Sequence, residues 1–283
     1  MIFSQPQAAI FIPDRQSLPG ALSRTTHLGI GAHADDLEFM AFHGIVSCYE
    51  KSDQWFTGVT CTDGVGSVRS GGYAQWTDEQ MRETRRAEQN QAAQIGRYGA
   101  MIQLGHSSAS VCHPQGSDLR DDLLRILQAT RPGIVYTHNV ADKHATHIGV
   151  AVAAIQALRL LPVEQRPEKV HGCEVWRDLD WLPDGEKILL DVSGHDDLAT
   201  ALHGVFASQI AGGKRYDLGV MGRRRAHATF QEAHAADRAE SLTLAMDLTP
   251  LLCDETLDIA GYVDGLIGHF RADVLSKLRD RDL

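Results

Sequence analysis

Short apolar runs alternate along the chain with longer segments in which apolar residues recur at helical spacing. The short runs predict strands at residues 26–33, 54–62, 100–104 and 133–138, and two more β-prone runs follow at 169–176 and 186–193. The longer segments predict helices at residues 37–51, 77–96, 117–133 and 144–161. Strands separated by helices imply right-handed crossovers and a mostly parallel sheet with helices on both faces.

This order of elements predicts an α/β protein with a single Rossmann-like domain. Residues 1–25 are expected to be an N-terminal extension, and roughly residues 195–283 a helical C-terminal portion. The segment 77–96 carries the clearest helix boundaries, because Thr77 is a plausible N-cap, Gln80 completes a capping box and Gly96 is a natural stop. No internal repeat and no low-complexity linker divides the chain.

Composition narrows the class of protein. The chain has 283 residues, 43% hydrophobic and 23% charged, which is typical of an ordinary globular protein. A net charge of −10 argues against a general nucleic-acid binder or membrane-surface binder. The five cysteines are scattered and form no C-x-x-C pair, and the sequence has neither a signal-peptide pattern nor a run that could span a bilayer. We therefore expect a cytoplasmic protein with reduced thiols and a small-molecule partner.

The stretch GIGAHADDLEFMAFHG, residues 29–44, places a histidine and two adjacent aspartates directly after the first long strand. Adjacent carboxylates repel each other and are costly to bury, so a cation would explain why Asp35 and Asp36 stand together. His33 and Asp36 are close enough to bind a single ion. In open α/β sheets, ligands bind beyond the carboxyl ends of the strands. The loop after Thr62 and the segment after His138 are expected at the same edge.

The second segment, HNVADKHATHIG at residues 138–149, can complete a metal site. His144 and His147 are three residues apart and project from one face of the helix that begins there. One of them can bind the metal while the other remains free for proton chemistry. A catalytic zinc site has three such protein ligands and leaves one position for water, from which Asp35 can accept a proton. His138, at the end of its strand, is expected to contact the ligands rather than the metal.

These segments resemble a known family. AHADDLE resembles the AHPDD-x-E motif of the LmbE/PIG-L family of zinc-dependent N-deacetylases, and HATH lies where that family has HPDH. The segments VTCTDG, RRAEQNQAAQIG and RPGIVYTHN are similar to the pieces between these motifs. Two separated motifs in the right order make the resemblance specific. It covers the first half of the chain well and the C-terminal part only loosely.

The resemblance implies a role for each motif residue. His33, Asp36 and His147 become the ligands of Zn²⁺, or of another divalent ion. Asp35 becomes the general base, and His144 stabilises the oxyanion and protonates the leaving amine. The implied reaction is removal of the acetyl group from an N-acetylated amino sugar of the GlcNAc type, free, phosphorylated or conjugated.

Three further residues are candidates for the substrate site. Arg85 opens an R-x-x-E pattern and lies where the family has a substrate-contacting arginine, and Arg69 belongs to the Gly-rich loop at the predicted active edge. Thr146 replaces an aspartate that, in the family, helps to tune the catalytic imidazole, and Asp142 just upstream is a candidate for that task. Ala34 replaces the family's proline, which is expected to affect only the stiffness of the loop.

A basic cluster, GGKRYDLGVMGRRR at residues 212–225, has two interpretations. It can be a solvated helix end whose charges are paired with acids. Alternatively, Lys214, Arg215 or the run Arg223 to Arg225 can hold an anionic part of the substrate, such as a sugar phosphate, because arginine makes bidentate contacts with phosphate.

The leading hypothesis is therefore a metal-dependent N-deacetylase acting on an amino sugar. Two alternatives remain open: an amidase of a sugar–thiol conjugate, and a metal-containing carbohydrate-binding protein with impaired catalysis, which the Thr146 departure favours. The amphipathic segment LDIAGYVDGLIGHFRADVLSKL, near the end of the chain, can form a homo-oligomer contact or pack on its own domain.

Overall fold

The structure, a computed structural model, describes residues 1–66, 69–211 and 213–279. Ser67 and Val68 of the Gly-rich loop, Gly212 of the basic cluster and residues 280–283 lie outside the described residues. The strands in the described ranges are β1 (Ala9–Phe11), β2 (His27–Gly31), β3 (Phe56–Thr62), β4 (Ala100–His106), β5 (Ile134–His138), β6 (Lys169–Cys173), β7 (Lys187–Asp191) and β8 (Leu242–Asp247).

The α-helices of the same ranges connect and cover these strands. They are α1 (Leu18–Ser23), α2 (Asp36–Met40), α3 (Phe42–Cys48), α4 (Asp78–Ile95), α5 (Ser108–Cys112), α6 (Asp118–Thr130), α7 (Ala145–Arg159), α8 (Asp196–Gly204), α9 (Ala207–Ile210), α10 (Tyr216–Phe230), α11 (Pro250–Cys253) and α12 (Ile259–Arg279).

All of these strands belong to a single sheet with the order β1-β4-β3-β2-β5-β6-β8-β7. The five central strands, β4-β3-β2-β5-β6, are parallel, and the pairings of β1, β7 and β8 are antiparallel. The prediction of a mostly parallel, Rossmann-like sheet is confirmed. Because β3 and β5 both flank β2, the strand order reverses at β2, and ligands of such sheets bind at this switch point.

The alternation of residues along β2 explains how the helices pack on both faces. Leu28 and Ile30 point into the hydrophobic cluster formed with α6 and α7. Gly29 lies on the opposite face, where a Cβ would come within 2.6 Å of the Phe56 ring and 3.0 Å of the Leu37 side chain. The glycine thus allows α2 to lie directly on the sheet, and α2 carries the acidic motif.

The helix predicted at residues 77–96 has the expected boundaries. The Thr77 side chain accepts a hydrogen bond from the Gln80 amide while the Gln80 side chain accepts one from the Thr77 amide, which is a complete capping box. The helix predicted at 37–51 is divided at Ala41 into α2 and α3. This short α2 lets the chain change direction immediately after the acidic motif.

The prediction of a helical C-terminal portion missed one strand. β8 lies between β6 and β7 in the sheet and pairs antiparallel with both. The N-terminal extension also contributes β1, which pairs with β4. Most of α12 lies on the surface, where Ile267 and Phe270 are 48% and 39% exposed. Among the described residues, no helix has the length and hydropathy needed to cross a membrane.

Candidate metal centre

Two loops meet at the switch point of the sheet and bring the motif residues together. The loop after β2 carries His33, Asp35 and Asp36, and the segment after β5 carries His144 and His147. His144 is the N-cap of α7, and the imidazole centroids of His144 and His147 are 4.5 Å apart. Residues separated by more than a hundred positions in the sequence therefore share one edge of the sheet.

The local conformation of the first loop is unusual. Asp35 has a φ of 86° and a ψ of −26°, in the left-handed region, which costs a non-glycine residue roughly 1–2 kcal/mol. The Asp36 carboxylate closes the loop by accepting a 2.7 Å hydrogen bond from the His33 amide. This strained turn sends the side chains of Asp35 and Asp36 in different directions.

Three candidate ligand atoms form a compact triangle. His33 Nδ1 lies 3.2 Å from Asp36 Oδ2 and 3.2 Å from His147 Nε2, and His147 Nε2 lies 3.4 Å from Asp36 Oδ2. For bonds of 2.0–2.1 Å to a tetrahedral Zn²⁺, neighbouring ligand atoms are expected about 3.3 Å apart. Two imidazoles and one carboxylate at this spacing fit a divalent cation and leave a fourth position open. The residues present therefore fit the metal that the resemblance implies.

Asp142 supports one of these ligands. Its Oδ2 accepts a 3.0 Å hydrogen bond from His147 Nδ1, and both side chains are fully buried. A proton on Nδ1 leaves the lone pair of Nε2 directed toward the metal position, as is usual for metal-ligating histidines. The sequence-based expectation that Asp142 contacts substrate or tunes His144 does not match this geometry, because the loop between β5 and α7 turns the carboxylate toward His147.

His138 lies beside the candidate ligands, with its Nε2 3.4 Å from Asp36 Oδ2, and together with Asp36 and His147 it forms a second group of side chains spaced to hold a metal ion. Its Nε2 is 2.9 Å from the Ala32 amide nitrogen, which can donate to this ring nitrogen only when the nitrogen carries no proton. The lone pair is thus committed to a backbone amide. The ring stacks on His147 with a centroid separation of 3.8 Å and so limits how that ligand can rotate.

The two adjacent carboxylates have opposite electrostatic environments. Burial would raise the pKa of Asp36, but the nearby His147 imidazole holds the pKa well below its usual value. Burial and the charge of Asp36 raise the pKa of Asp35 well above its usual value, and the Arg85 guanidinium opposes that rise. The pair is thus divided into one strongly ionised ligand and one carboxyl with a high proton affinity.

Arg85, on α4, lies buried beside this site. The residue is 2% exposed and lies under Gly64, where a Cβ would come within 2.9 Å of the Arg85 Cδ. Burial lowers the pKa of Arg85, and the charges of Asp35 and Glu88 oppose this decrease. The structure therefore places Arg85 next to Asp35, the predicted base. Arg85 is not among the described residues that line the pocket above the candidate ligands.

His144 stands next to His33 and His147, and one ring nitrogen of each of these three histidines lies within 4.8 Å of the others. The His144 ring lies 5.1 Å from that of His33 and stacks on Trp176 at 5.9 Å. Within the described ranges, its buried Nδ1 has no hydrogen-bond partner. Thr146, which replaces the family's aspartate, instead makes a 3.4 Å contact with the Cys112 thiol. Burial lowers the pKa of His144.

A pocket of about 620 Å³ opens over this centre. Asp35 and His144 lie at its floor, and aromatic side chains form its walls. The ring centroids of Trp176 and Tyr216 are 6.0 Å apart, and those of Tyr216 and Phe39 are 5.9 Å apart. Its volume suits a ligand of one or two sugar rings, because small-molecule sites commonly measure about 300–1,000 Å³.

The basic cluster is divided between the pocket and the protein interior. Lys214, Arg215 and Arg223 line the pocket. Arg224 is 2% exposed and donates to the Glu38 and Phe39 carbonyls at 3.0 and 2.9 Å.

The other members of the cluster have surface or backbone partners. Arg225 pairs with Asp196 on the surface, and Arg215 with Asp217. Arg223 donates to the Val175 carbonyl. In the described part of the chain, Lys214 has no ion pair, and its ammonium lies 5.5 Å from the Trp176 ring.

Arg69 is held by its own loop. Its guanidinium donates to the carbonyls of Trp76 and Val65 and pairs with Asp78. The expectation that it contacts substrate finds no support in this arrangement, because the contacts fold the side chain back on the loop.

Sequence analysis missed the aromatic walls and Gln209, which lines the pocket from α9. Trp176 is the last residue of the β-prone run 169–176 and Tyr216 lies in the basic cluster, but no motif marks either residue. Only their position after strand ends or at a helix start could have indicated a role.

The comparisons with known proteins agree with this architecture. Residues 28–158 match the family model described as PIG-L, GlcNAc-PI de-N-acetylase. No curated protein matches the sequence significantly.

Several solved structures have a similar fold. The conserved protein TT1542 from Thermus thermophilus is 18% identical with a TM-score of 0.60, covering 82% of this chain and 98% of that chain. The N,N'-diacetylchitobiose deacetylase from Pyrococcus horikoshii is 16% identical with a TM-score of 0.58, covering 82% and 88%. GalB, the 4-carboxy-2-hydroxymuconate hydratase from Pseudomonas putida, is 18% identical with a TM-score of 0.59, covering 79% and 95%. At these identities the similarity establishes the fold alone.

Proposed function

Because residues 28–158 form a domain of the PIG-L family, we propose that this protein is a metal-dependent hydrolase that removes the acetyl group from an N-acetylated amino sugar. The observation that carries the proposal is the triangle of His33, Asp36 and His147 at 3.2–3.4 Å, with Asp35 and His144 next to it at the floor of one pocket. A divalent cation held there would polarise the acyl carbonyl and lower the pKa of the attacking water. The donor set of two imidazoles and one carboxylate favours zinc.

The protein's own residues then divide the proton transfers. Asp35 accepts a proton from the attacking water, because its side chain lines the pocket next to the candidate ligand Asp36. His144, at the pocket floor, donates a hydrogen bond to the developing oxyanion and a proton to the leaving nitrogen. Among the described residues, His144 Nδ1 accepts or donates no hydrogen bond, and the stacking of Trp176 on the ring holds the imidazole in place instead.

The walls of the pocket support a sugar as substrate. The faces of Trp176, Tyr216 and Phe39 offer flat apolar surfaces to the C–H groups of a pyranose ring. Lys214 supports an anionic sugar, such as a sugar phosphate, because this residue lines the pocket, its ammonium lies 5.5 Å from the Trp176 ring, and it has no ion pair within the described residues. Arg224 and Arg225 do not support it, since one is buried against α2 carbonyls and the other forms a surface ion pair.

The direct test measures acetate release from N-acetylglucosamine and its phosphates, with and without a chelator. We expect release that stops when the metal is removed and returns when zinc is added. Replacing Lys214 with alanine should raise the KM for a phosphorylated sugar about tenfold and leave the neutral sugar unchanged. The matched control is Arg225→Ala, from the same basic cluster but paired on the surface. Equal kcat/KM for neutral and phosphorylated sugars would refute the hypothesis that the substrate is an anionic sugar.

A second candidate is a carbohydrate-binding protein with impaired catalysis. It is favoured by the buried Nδ1 of His144, which has no partner in the described ranges because Thr146 contacts Cys112 instead. Tight binding of the same sugars by the metal-loaded protein, with no acetate released, would support this candidate over the deacetylase.

A further inference from the structure

The peptide unit between Ala34 and Asp35 is held at both ends by glutamine side chains. The Ala34 carbonyl accepts a 3.2 Å hydrogen bond from Gln209 Nε2, and the Asp35 amide donates a 3.3 Å hydrogen bond to Gln89 Oε1. Gln89 belongs to α4 and Gln209 to α9, which are far apart in sequence. Two unrelated elements thus fix the plane of a single peptide bond.

This peptide bond determines where the Asp35 side chain points. The torsion φ of Asp35 describes rotation about the bond that joins this peptide plane to the Asp35 Cα atom. At 86° it lies in the left-handed region, which an L residue keeps only when its surroundings enforce it. If the plane were free, the residue would relax toward a negative φ and the carboxylate would leave its position on the pocket floor.

The Gln89 amide has only one orientation that satisfies its neighbours. Its Nε2 donates to Glu38 Oε1 at 2.8 Å, and the Tyr98 hydroxyl donates to the same oxygen at 2.7 Å. Gln89, Glu38 and Tyr98 are all at most 1% exposed. Because the Glu38 oxygen accepts, the amide nitrogen of Gln89 must face it, and the amide oxygen then faces the Asp35 amide.

The loop has no proline that would stiffen it. Ala34 occupies the position where the resembling motif has proline, whose ring would fix φ. The Ala34 amide makes no hydrogen bond within the described residues, and its φ is not positive. The backbone at this position is therefore freer than a prolyl backbone, and the two glutamines restrict it from outside.

We propose that Gln89 and Gln209 are positioning residues for Asp35, which clamp the Ala34–Asp35 peptide unit and replace the stiffness that a proline would supply. The inference rests on the proposed role of Asp35 as the base. It assigns to this site two residues that do not react, one of which, Gln209, lies outside the region that matches the family model.

The test uses Gln209→Ala, at a half-buried position, and Gln89→Met, which preserves volume but removes both hydrogen bonds. The control is Gln91→Ala, an exposed glutamine on the same helix. We expect each clamp variant to lower kcat about tenfold, with KM within about twofold and metal content unchanged, because a misplaced group slows the reaction without weakening binding. Adding Ala34→Pro to Gln209→Ala should restore most of the lost kcat.

Other outcomes would overturn the proposal. Unchanged kcat in Gln209→Ala shows that the clamp does not position the base, and a rise in KM alone shows that Gln209 contacts the substrate instead. If adding Ala34→Pro does not restore the kcat of Gln209→Ala, the idea that the glutamines replace the stiffness of a proline is refuted.

Hydrogen exchange separates this proposal from the proposed function. The Asp35 amide should exchange slowly in the wild type and at least about tenfold faster in Gln89→Met, whether or not any substrate is turned over. If the wild type releases no acetate, the proposed function fails, and the exchange of this amide alone decides whether the clamp exists.

Discussion

Replacement of Asp142 by asparagine tests whether the metal ligands are oriented from behind. The Asp142 carboxylate accepts hydrogen bonds only: Oδ2 from His147 Nδ1 at 3.0 Å and the Trp176 amide at 3.4 Å, and Oδ1 from the Lys143 and Arg177 amides at 2.6 and 3.0 Å. An asparagine side chain has one oxygen and one NH₂ group, so one pair of these donors must face another donor.

Both orientations of the new amide disturb the site. If the NH₂ group faces the Lys143 and Arg177 amides, the Asp142 position loses two partly buried hydrogen bonds to the backbone. If it faces His147, it donates to Nδ1 and moves the ring proton to Nε2, the atom that is directed at the metal. We therefore expect the affinity for zinc to fall by about 10–100-fold, which corresponds to about 1.4–2.7 kcal/mol.

The measurement is a competition titration of metal-free protein with zinc and a chromophoric chelator. The exposed Asp178, on the loop that follows β6, provides the matched control as Asp178→Asn. Circular dichroism and thermal unfolding should show that both variants are folded. A folded Asp142→Asn protein whose zinc affinity lies within about threefold of the wild type would refute the assignment of Asp142 to His147 and, with it, the orientation of that ligand.

Three further predictions concern the proposed base, the buried Arg224 and the pH dependence of stability. Asp35→Asn should lower kcat about 10²–10⁴-fold with metal content intact, and normal turnover would show that another group accepts the proton. Arg224→Ala should lower the free energy of unfolding by about 3 kcal/mol in denaturant titrations, because the buried guanidinium holds two α2 carbonyls. The exposed Arg225→Ala should change it by less than about 1 kcal/mol, and equal losses would contradict the reasoning. Burial, with the charge of His43, lowers the pKa of His171 from 6.5 to about 4. Between these values the unfolded chain binds the extra proton, so stability should fall as the pH drops from 6.5 to 4, and His171→Gln should reduce that slope.

Much of the fold could be predicted from local patterns. The central parallel strands are runs of apolar residues flanked by helical segments, and the capping box at Thr77 and Gln80 defined the start of α4. β1 and β8 were missed because three to six residues at an edge or between antiparallel neighbours carry too little periodicity to separate strand from helix. β8 also has a continuous buried run, LTLAM, in place of the alternation that marks a strand with one exposed face.

The candidate metal ligands could be proposed from the sequence because the chemistry restricts them. Two adjacent aspartates and a closely spaced pair of histidines are costly without a cation, and both follow strands that end at the same edge of the sheet. The partner of Asp142 was not predictable. His144 and His147 are two and five residues away from Asp142, and only the path of the loop before α7 decides which imidazole the carboxylate reaches.

The location of the substrate walls explains why the fold alone does not determine the reaction. The candidate ligands, the proposed base Asp35 and His144 all lie within residues 28–158, which match the family model. Trp176, Gln209 and Tyr216, which line the pocket, all come from later in the chain. A hydratase and a deacetylase both have folds similar to this one. We expect Phe39 and the wall residues after β6 to influence which substrate binds in the pocket, and variants of Trp176 and Tyr216 should change substrate preference more than metal affinity.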